Sequence, residues 1–115
     1  MNEDRFLRHL ERVEFVKGDV LNTIPEFVRT KGNGLRIALL NLDLDLYEPT
    51  MVALEQLVPR MTPGGIIICD EYAVDTFGGE SKAVDEYFSR TFGRRPTVHT
   101  FAWHSNPSGY IEVDW

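Results

Sequence analysis

Two uninterrupted apolar runs, each ending in acidic residues, dominate the pattern of hydrophobic and polar positions in this chain. They predict strands over residues 35–43 and 66–70, with one amphipathic helical pattern between them. Apolar runs arranged in this way are typical of neighbouring parallel strands in an α/β sheet. The acidic ends of both strands should therefore meet at one edge of the sheet, which is the edge where open α/β sheets bind ligands.

The rest of the pattern alternates between helix and strand. Thr23 is a predicted N-cap, and Pro49 with Thr50 is predicted to open the helix between the two strands. The remaining predicted helices cover residues 1–11, 24–30 and 81–92, and the remaining predicted strands cover residues 13–16, 97–103 and 109–113. The last two strands form a hairpin. This order predicts a mostly parallel sheet with right-handed crossovers and an antiparallel C-terminal edge.

Composition narrows the class of protein. The 115 residues are 43% hydrophobic and 26% charged, as expected for one soluble domain spanning residues 1–115. A net charge of −6 argues against nucleic acid or an anionic membrane as partner, because those surfaces attract clustered Lys and Arg. The single cysteine, Cys69, excludes an intrachain disulfide and fits a small core residue in a reducing compartment. With no signal-peptide pattern and no apolar run of membrane-spanning length, we expect a cytoplasmic protein.

The acidic strand ends carry the clearest candidate chemistry. Asp43, Asp45, Asp70 and Glu71 should lie together, and carboxylates at close range repel unless a cation or a shared proton compensates them. Oxygen ligands of this kind favour a hard divalent metal such as Mg²⁺. The structural alternative is that each strand-end Asp only caps the helix that follows.

Other polar residues give weaker signals. Asp19, after Gly18, could accept hydrogen bonds from an adenine or a ribose at the sheet edge, although Gly-Asp is also a common turn dipeptide. His104, in a polar loop, is a candidate general base without supporting spacing. His99 alternates with apolar neighbours, which favours a structural role.

Four segments together resemble the C-terminal part of the macrocin O-methyltransferase family. They are residues 18–20 (Gly-Asp-Val), 42–50 (Leu-Asp-Leu-Asp-Leu-Tyr-Glu-Pro-Thr), 63–72 (Pro-Gly-Gly-Ile-Ile-Ile-Cys-Asp-Glu-Tyr) and 78–88 (Gly-Gly-Glu-Ser-Lys-Ala-Val-Asp-Glu-Tyr-Phe). The resemblance implies a Rossmann-like fold and metal-assisted methyl transfer from S-adenosylmethionine to a hydroxyl of a small molecule, often a sugar.

The resemblance also implies roles for individual residues. Asp19 matches the acidic residue near the cofactor adenine, and Asp43 is a second expected cofactor contact. Asp43 and Asp70 match the strand-end Mg²⁺ ligands, with Glu71 where the family usually has an Asp. Asp45 is a weaker candidate ligand. The family's usual histidine base has no counterpart in residues 73–76, so either another group takes the proton or the substrate class differs.

The resemblance implies a truncated fold. The family's sheet order is 3-2-1-4-5-7-6, and no segment before Val13 matches its first two strands or the glycine-rich cofactor loop. We expect the strand over residues 13–16 to pair directly beside the strand over residues 35–43, or the exposed edge to pair with a second copy of the chain. The isolated chain is expected to be inactive. The alternative is a non-catalytic remnant or interaction module that retains the fold.

Overall fold

The computed structural model describes residues 12–70, 79–100 and 109–115. The described elements are α1 (Val20–Lys31), β1 (Ile37–Leu42), α2 (Tyr47–Leu57), β2 (Met61–Cys69), α3 (Gly79–Phe92), β3 (His99–Thr100) and β4 (Gly109–Glu112), with short 3₁₀ turns at Gly32–Gly34 and Val58–Arg60. The helix predicted over residues 1–11 lies outside the described residues. None of the described helices is long and apolar enough to cross a membrane.

The four described strands form one sheet in the order β1-β2-β4-β3. β1 and β2 are parallel, whereas β4 runs antiparallel to both β2 and β3. Three strands therefore share one direction and only β4 opposes them. This arrangement confirms the predicted α/β fold with an antiparallel C-terminal edge, and it reproduces the second half of the sheet order that the resemblance implies.

The helices cover one face of the sheet. Leu42 of β1, Ile67 of β2 and Ile111 of β4 are buried there, and α2 packs between α1 and α3. The opposite face is open among the described residues: Leu39 is 60% exposed and its neighbour in the register, Ile66, is 36% exposed. Side chains alternate between the two faces of a strand, so burial on one face only shows that a single helical layer covers this part of the sheet.

The prediction of a strand over residues 13–16 is wrong. These residues have no strand pairing, and Val13, Phe15 and Val16 are 42–51% exposed. The predicted direct pairing beside β1 is wrong for the same reason, because β1 pairs only with β2 among the described strands. A short run of alternating residues forms a strand only where a partner satisfies its backbone groups, and none of the described strands lies beside this run.

Helix α1 begins earlier than predicted because its N-cap is Asp19, not Thr23. The Asp19 Oδ1 atom accepts a hydrogen bond of 3.0 Å from the Leu21 backbone N–H, which satisfies one free donor of the first turn. Gly18 precedes the cap with φ of +135°, a conformation that favours glycine. Thr23 consequently lies within the helix.

The start of β2 also differs from the prediction, which began this strand at residue 66. The register passes from Ile37 opposite Met61 to Leu39 opposite Ile66, so three extra residues of β2 bulge out of the ladder. Gly64 donates to the Val113 carbonyl, and the Val113 N–H donates to Gly65, both at 2.8 Å. Pairing with the distant C-terminal segment therefore turns a sequence typical of a loop into an irregular strand.

Candidate functional site

The parallel register brings Asp43 and Asp70 together at the carboxyl ends of β1 and β2. Leu42 lies opposite Cys69, and the Asp70 N–H donates a 3.0 Å hydrogen bond to the Leu42 carbonyl, which continues the ladder by one step. The next side chains, Asp43 and Asp70, hydrogen-bond to each other. This hydrogen bond, followed by the negative charge of Asp70 and by burial, raises the pKa of Asp43. Two carboxylates in this contact need a shared proton or a cation between them.

Asp45 lies in a tight turn between β1 and α2. Its φ is +61°, and the Leu46 N–H donates to the Leu44 carbonyl at 2.6 Å, which closes a γ-turn centred on Asp45. Asp tolerates a left-handed backbone better than most residues. The conformation gives Asp45 a backbone role that the sequence did not show, and its carboxylate is exposed.

The N-terminus of α3 packs directly against this turn. A Cβ atom on Gly79 would lie 2.6 Å from the Tyr47 nitrogen and 3.0 Å from the Asp45 carbonyl oxygen, so only glycine permits the observed approach. The close packing buries the next residue, Glu80, to 5% exposure.

Glu80 is the functional candidate that sequence reasoning missed. Burial raises its pKa to about 8, and the negative charges of Asp70, Asp45 and Asp43 add to the shift, while the Leu44 backbone N–H opposes it. Within the described part of the chain, neither Glu80 oxygen forms a hydrogen bond of normal geometry. The Gly-Gly-Glu sequence at the start of α3 was the available signal, but an acidic residue in a first helical turn usually faces solvent and complements the helix dipole.

Side-chain contacts between α2 and α3 hold the turn in place. Tyr47 hydrogen-bonds to Glu86, which is the main cause of its raised pKa. The Lys82 ammonium lies 5.5 Å from the centre of the Tyr47 ring. Farther along the helices, Arg90 and Glu55 form an ion pair of 2.9 Å.

Within the described part of the chain, two other candidate residues, Asp19 and His99, have different contacts. Asp19 is exposed, and its Oδ1 atom caps α1. Glu71 and His104 lie outside the described residues. His99 is exposed on β3 and stacks on Tyr110 with ring centres 5.0 Å apart. Cys69 is buried as predicted, and burial raises its thiol pKa to about 12.

The acidic residues fit a cation held by two carboxylates. Among the described residues, no three Asp, Glu, His or Cys side chains are already arranged around one point as metal ligands. Mg²⁺ keeps several water ligands and commonly uses only one or two protein carboxylates. The contact between Asp43 and Asp70, together with the unpartnered buried carboxylate of Glu80, is the kind of uncompensated negative site that such an ion would neutralise.

A cavity of about 480 Å³ lies at the opposite end of the sheet. Its lining includes Phe88 and Phe92 of α3, Glu112 of β4, and Trp115. Glu112 pairs with Ile66 near the amino end of the parallel ladder, so this cavity is separate from the carboxyl-end acidic residues. We therefore place the candidate site at Asp43, Asp70 and Glu80.

Together, the half-covered sheet and the direction of its strands define a Rossmann-like α/β protein, a class of fold that binds ligands at the carboxyl ends of its parallel strands. Residues 2–95 match the family described as Macrocin-O-methyltransferase (TylF). The chain belongs to this family, as the resemblance implied.

Curated relatives match part of the chain. It is 43% identical over 65 residues to the 8-demethyl-8-(2,3-dimethoxy-alpha-L-rhamnosyl)-tetracenomycin-C 4'-O-methyltransferase of Streptomyces olivaceus, a match covering 56% of this chain and 23% of that protein. It is 34% identical over 80 residues to the mycinamicin III 3''-O-methyltransferase of Micromonospora griseorubida, covering 70% and 28% respectively. The matches thus span about a quarter of each relative.

Solved structures share the fold across almost the whole chain. The apo structure of CalS11, a TDP-rhamnose 3'-O-methyltransferase of calicheamicin biosynthesis, gives a TM-score of 0.75 at 30% identity, covering 96% of this chain and 45% of CalS11. The O-methyltransferase NovP gives 0.73 at 26% identity, covering 97% and 43%. The chain therefore spans less than half of either structure.

Proposed function

We propose that this chain forms the cation-binding part of an S-adenosylmethionine-dependent O-methyltransferase that acts on a hydroxyl of a small molecule. The contact between Asp43 and Asp70 at the carboxyl ends of β1 and β2 carries the proposal. The relatives support the substrate class, because the names of the Streptomyces olivaceus enzyme and of CalS11 describe methylation of rhamnose-bearing compounds.

The acidic residues supply the negative charge that the proposed site needs. Asp43 and Asp70 would hold Mg²⁺ between the ends of the two strands, where the rigid parallel ladder fixes the spacing of the two residues. The bound ion would act as a Lewis acid that lowers the pKa of an acceptor hydroxyl. The γ-turn at Asp45 and the close contact at Gly79 keep α3 against the site, so the acidic residues keep their relative positions.

The described residues fit only part of an S-adenosylmethionine site. Asp19 offers an exposed carboxylate at the start of α1, where it remains a predicted adenine contact, and Asp43 remains a predicted cofactor contact. The chain spans less than half of the CalS11 and NovP structures, so its residues supply only part of such a site. We therefore propose that this chain alone binds the cofactor weakly and does not turn over.

Calorimetric titration tests both parts of the proposal. MgCl₂ should bind to the wild-type chain, and Asp43→Ala and Asp70→Ala should each weaken binding at least about tenfold with an unchanged circular dichroism spectrum. Asp114→Ala is the matched control, because Asp114 is exposed at the opposite end of the sheet. Unchanged Mg²⁺ affinity in both site variants would refute the metal site.

S-adenosylhomocysteine, titrated with and without MgCl₂, tests the cofactor half. We expect no binding in the micromolar range. A micromolar dissociation constant would show that this chain holds the cofactor by itself. It would contradict the proposal that the chain alone binds the cofactor weakly.

The free edge of β1 supports a homodimer. Among the described strands, β1 pairs on one side only. Leu39, a residue of β1, is 60% exposed. An exposed edge with an apolar neighbour is a template for strand pairing with another chain. We infer that a second copy pairs with β1 in solution.

A further inference from the structure

Among the described residues, Glu80 is buried without the hydrogen bonds or the positive charge that a buried carboxylate needs. It is the second residue of α3, and the contact between Gly79 and the turn at residues 45–47 leaves it 5% exposed. Both of its oxygens lack a normal hydrogen bond within the described part of the chain. Burying a charged group without a partner is strongly unfavourable, so this arrangement requires either a proton or a positive charge.

The surroundings of Glu80 are negative rather than positive. Asp70, Asp45 and Asp43 all lie close enough to act on it electrostatically, and the Leu44 backbone N–H is the opposing polar group. The nearest basic residue along α3, Lys82, lies over the ring of Tyr47. The negative charge near Glu80 therefore favours either a proton on Glu80 or a cation bound close by.

The geometry points to Glu80 as a positioning residue of the cation site at Asp43 and Asp70, acting through a hydrogen bond to the hydrated ion and not by direct ligation. This inference rests on the proposed cation site. Direct ligation is not favoured, because no three side chains of the described residues surround one point. An ion held by two carboxylates keeps water ligands, and a buried acceptor beside them orients such a water.

The isosteric variant Glu80→Gln tests the role. It keeps the packing volume and removes the charge, so it should weaken Mg²⁺ binding about 10- to 100-fold in calorimetric titration. In metal-free buffer at about pH 9, where Glu80 is ionised, the same variant should raise the melting temperature, because a neutral amide replaces a buried carboxylate. A merely structural role would instead lower the melting temperature and leave the Mg²⁺ affinity unchanged.

Glu48→Gln is the matched control. It makes the same change of charge at an exposed residue in the first turn of α2, and we expect Mg²⁺ affinity within about twofold of wild type. If Glu80→Gln fails to fold, Glu80→Asp keeps the charge and should bind Mg²⁺ with intermediate affinity.

The outcomes separate the two proposals. If Asp70→Ala loses Mg²⁺ binding and Glu80→Gln keeps wild-type affinity, the role of Glu80 is refuted and the cation site stands. If the wild-type chain binds no Mg²⁺, the cation site is refuted, and the role of Glu80 falls with it.

Discussion

Asp43 and Asp70 directly follow the last paired residues of two parallel strands, and their carboxyl groups hydrogen-bond to each other. The backbone ladder continues from Leu42 opposite Cys69 to the Asp70 N–H, so the spacing of the two acidic residues is fixed by the sheet. Their mutual contact raises the pKa of Asp43. A cation bound between the two carboxyl groups would have to displace the proton that they share.

Stability in metal-free buffer should fall as the pH rises. The pKa of Glu80 is raised from 4.5 to about 8 in the folded protein, so the folded state holds a proton that the unfolded state releases between these values. Protonated Glu80 therefore contributes fully to the free energy of unfolding below about pH 4.5. This contribution is lost as the pH rises through about 8. The raised pKa of Asp43 acts in the same direction at lower pH. Urea unfolding across this range, with a chelator present, measures the slope.

Glu80→Gln serves as the reference for this pH dependence. Without the titrating group, the slope between about pH 5 and pH 9 should flatten, and the variant should be more stable than wild type at the alkaline end by about 1–3 kcal/mol. If the free energies of unfolding of the two proteins changed equally with pH, the burial of an ionisable Glu80 would be contradicted.

Gly79→Ala should destabilise the fold and disturb the site. The new Cβ would lie 2.6 Å from the Tyr47 nitrogen, which is backbone and cannot move without shifting the γ-turn. Overpacking of this kind costs about 1–3 kcal/mol. Gly34→Ala is the matched control, because its Cβ would meet no atom within 4 Å. Thermal unfolding of the two variants checks the difference, and equal melting temperatures would contradict the close contact.

Substitutions of Asp45 separate its backbone role from its charge. With φ at +61°, Asp45→Gly should be more stable than Asp45→Ala by about 1–2 kcal/mol, because alanine is strained in this conformation and glycine is not. Asp45→Asn keeps a residue that tolerates the turn and removes the charge. Mg²⁺ affinity of Asp45→Asn, measured by titration, then decides whether the predicted ligand role of Asp45 holds. A large loss would establish it.

Leu39→Lys should prevent the proposed dimer. A lysine on an exposed edge strand disfavours strand pairing with another chain. Leu46→Lys is the matched control, because Leu46 is also 60% exposed but lies outside the strand. Light scattering after size exclusion should show a dimer for wild type and Leu46→Lys and a monomer for Leu39→Lys. A monomeric wild type at high protein concentration would refute pairing through β1.

Cys69 should not react with thiol reagents in the folded protein. Its side chain is fully buried and burial raises its pKa to about 12, so the reactive thiolate is scarce at neutral pH. Ellman's reagent should label one thiol after denaturation and essentially none before it. Rapid labelling of the native protein would place Cys69 outside the core.

Local periodicity was enough to predict several elements of the fold. The apolar runs of β1 and β2 and the amphipathic spacing of α2 and α3 identified these elements within a few residues. The acidic residues at both strand ends followed from the same pattern, because parallel strands carry their carboxyl ends to one edge. The motifs at residues 42–50 and 63–72 identified the family, which the match over residues 2–95 confirms.

Other features depend on distant partners and are visible only in the folded chain. Residues 13–16 have the alternation of a strand and form none, whereas residues 62–65 have the composition of a loop and pair with Val113. In the sequence, Glu80 is an ordinary carboxylate in a first helical turn. In the folded chain, Gly79 packs α3 against the turn at Asp45, which buries Glu80 within the electrostatic influence of Asp43, Asp45 and Asp70. Backbone pairing and burial depend on contacts between residues far apart in the chain, which local patterns of polarity do not encode.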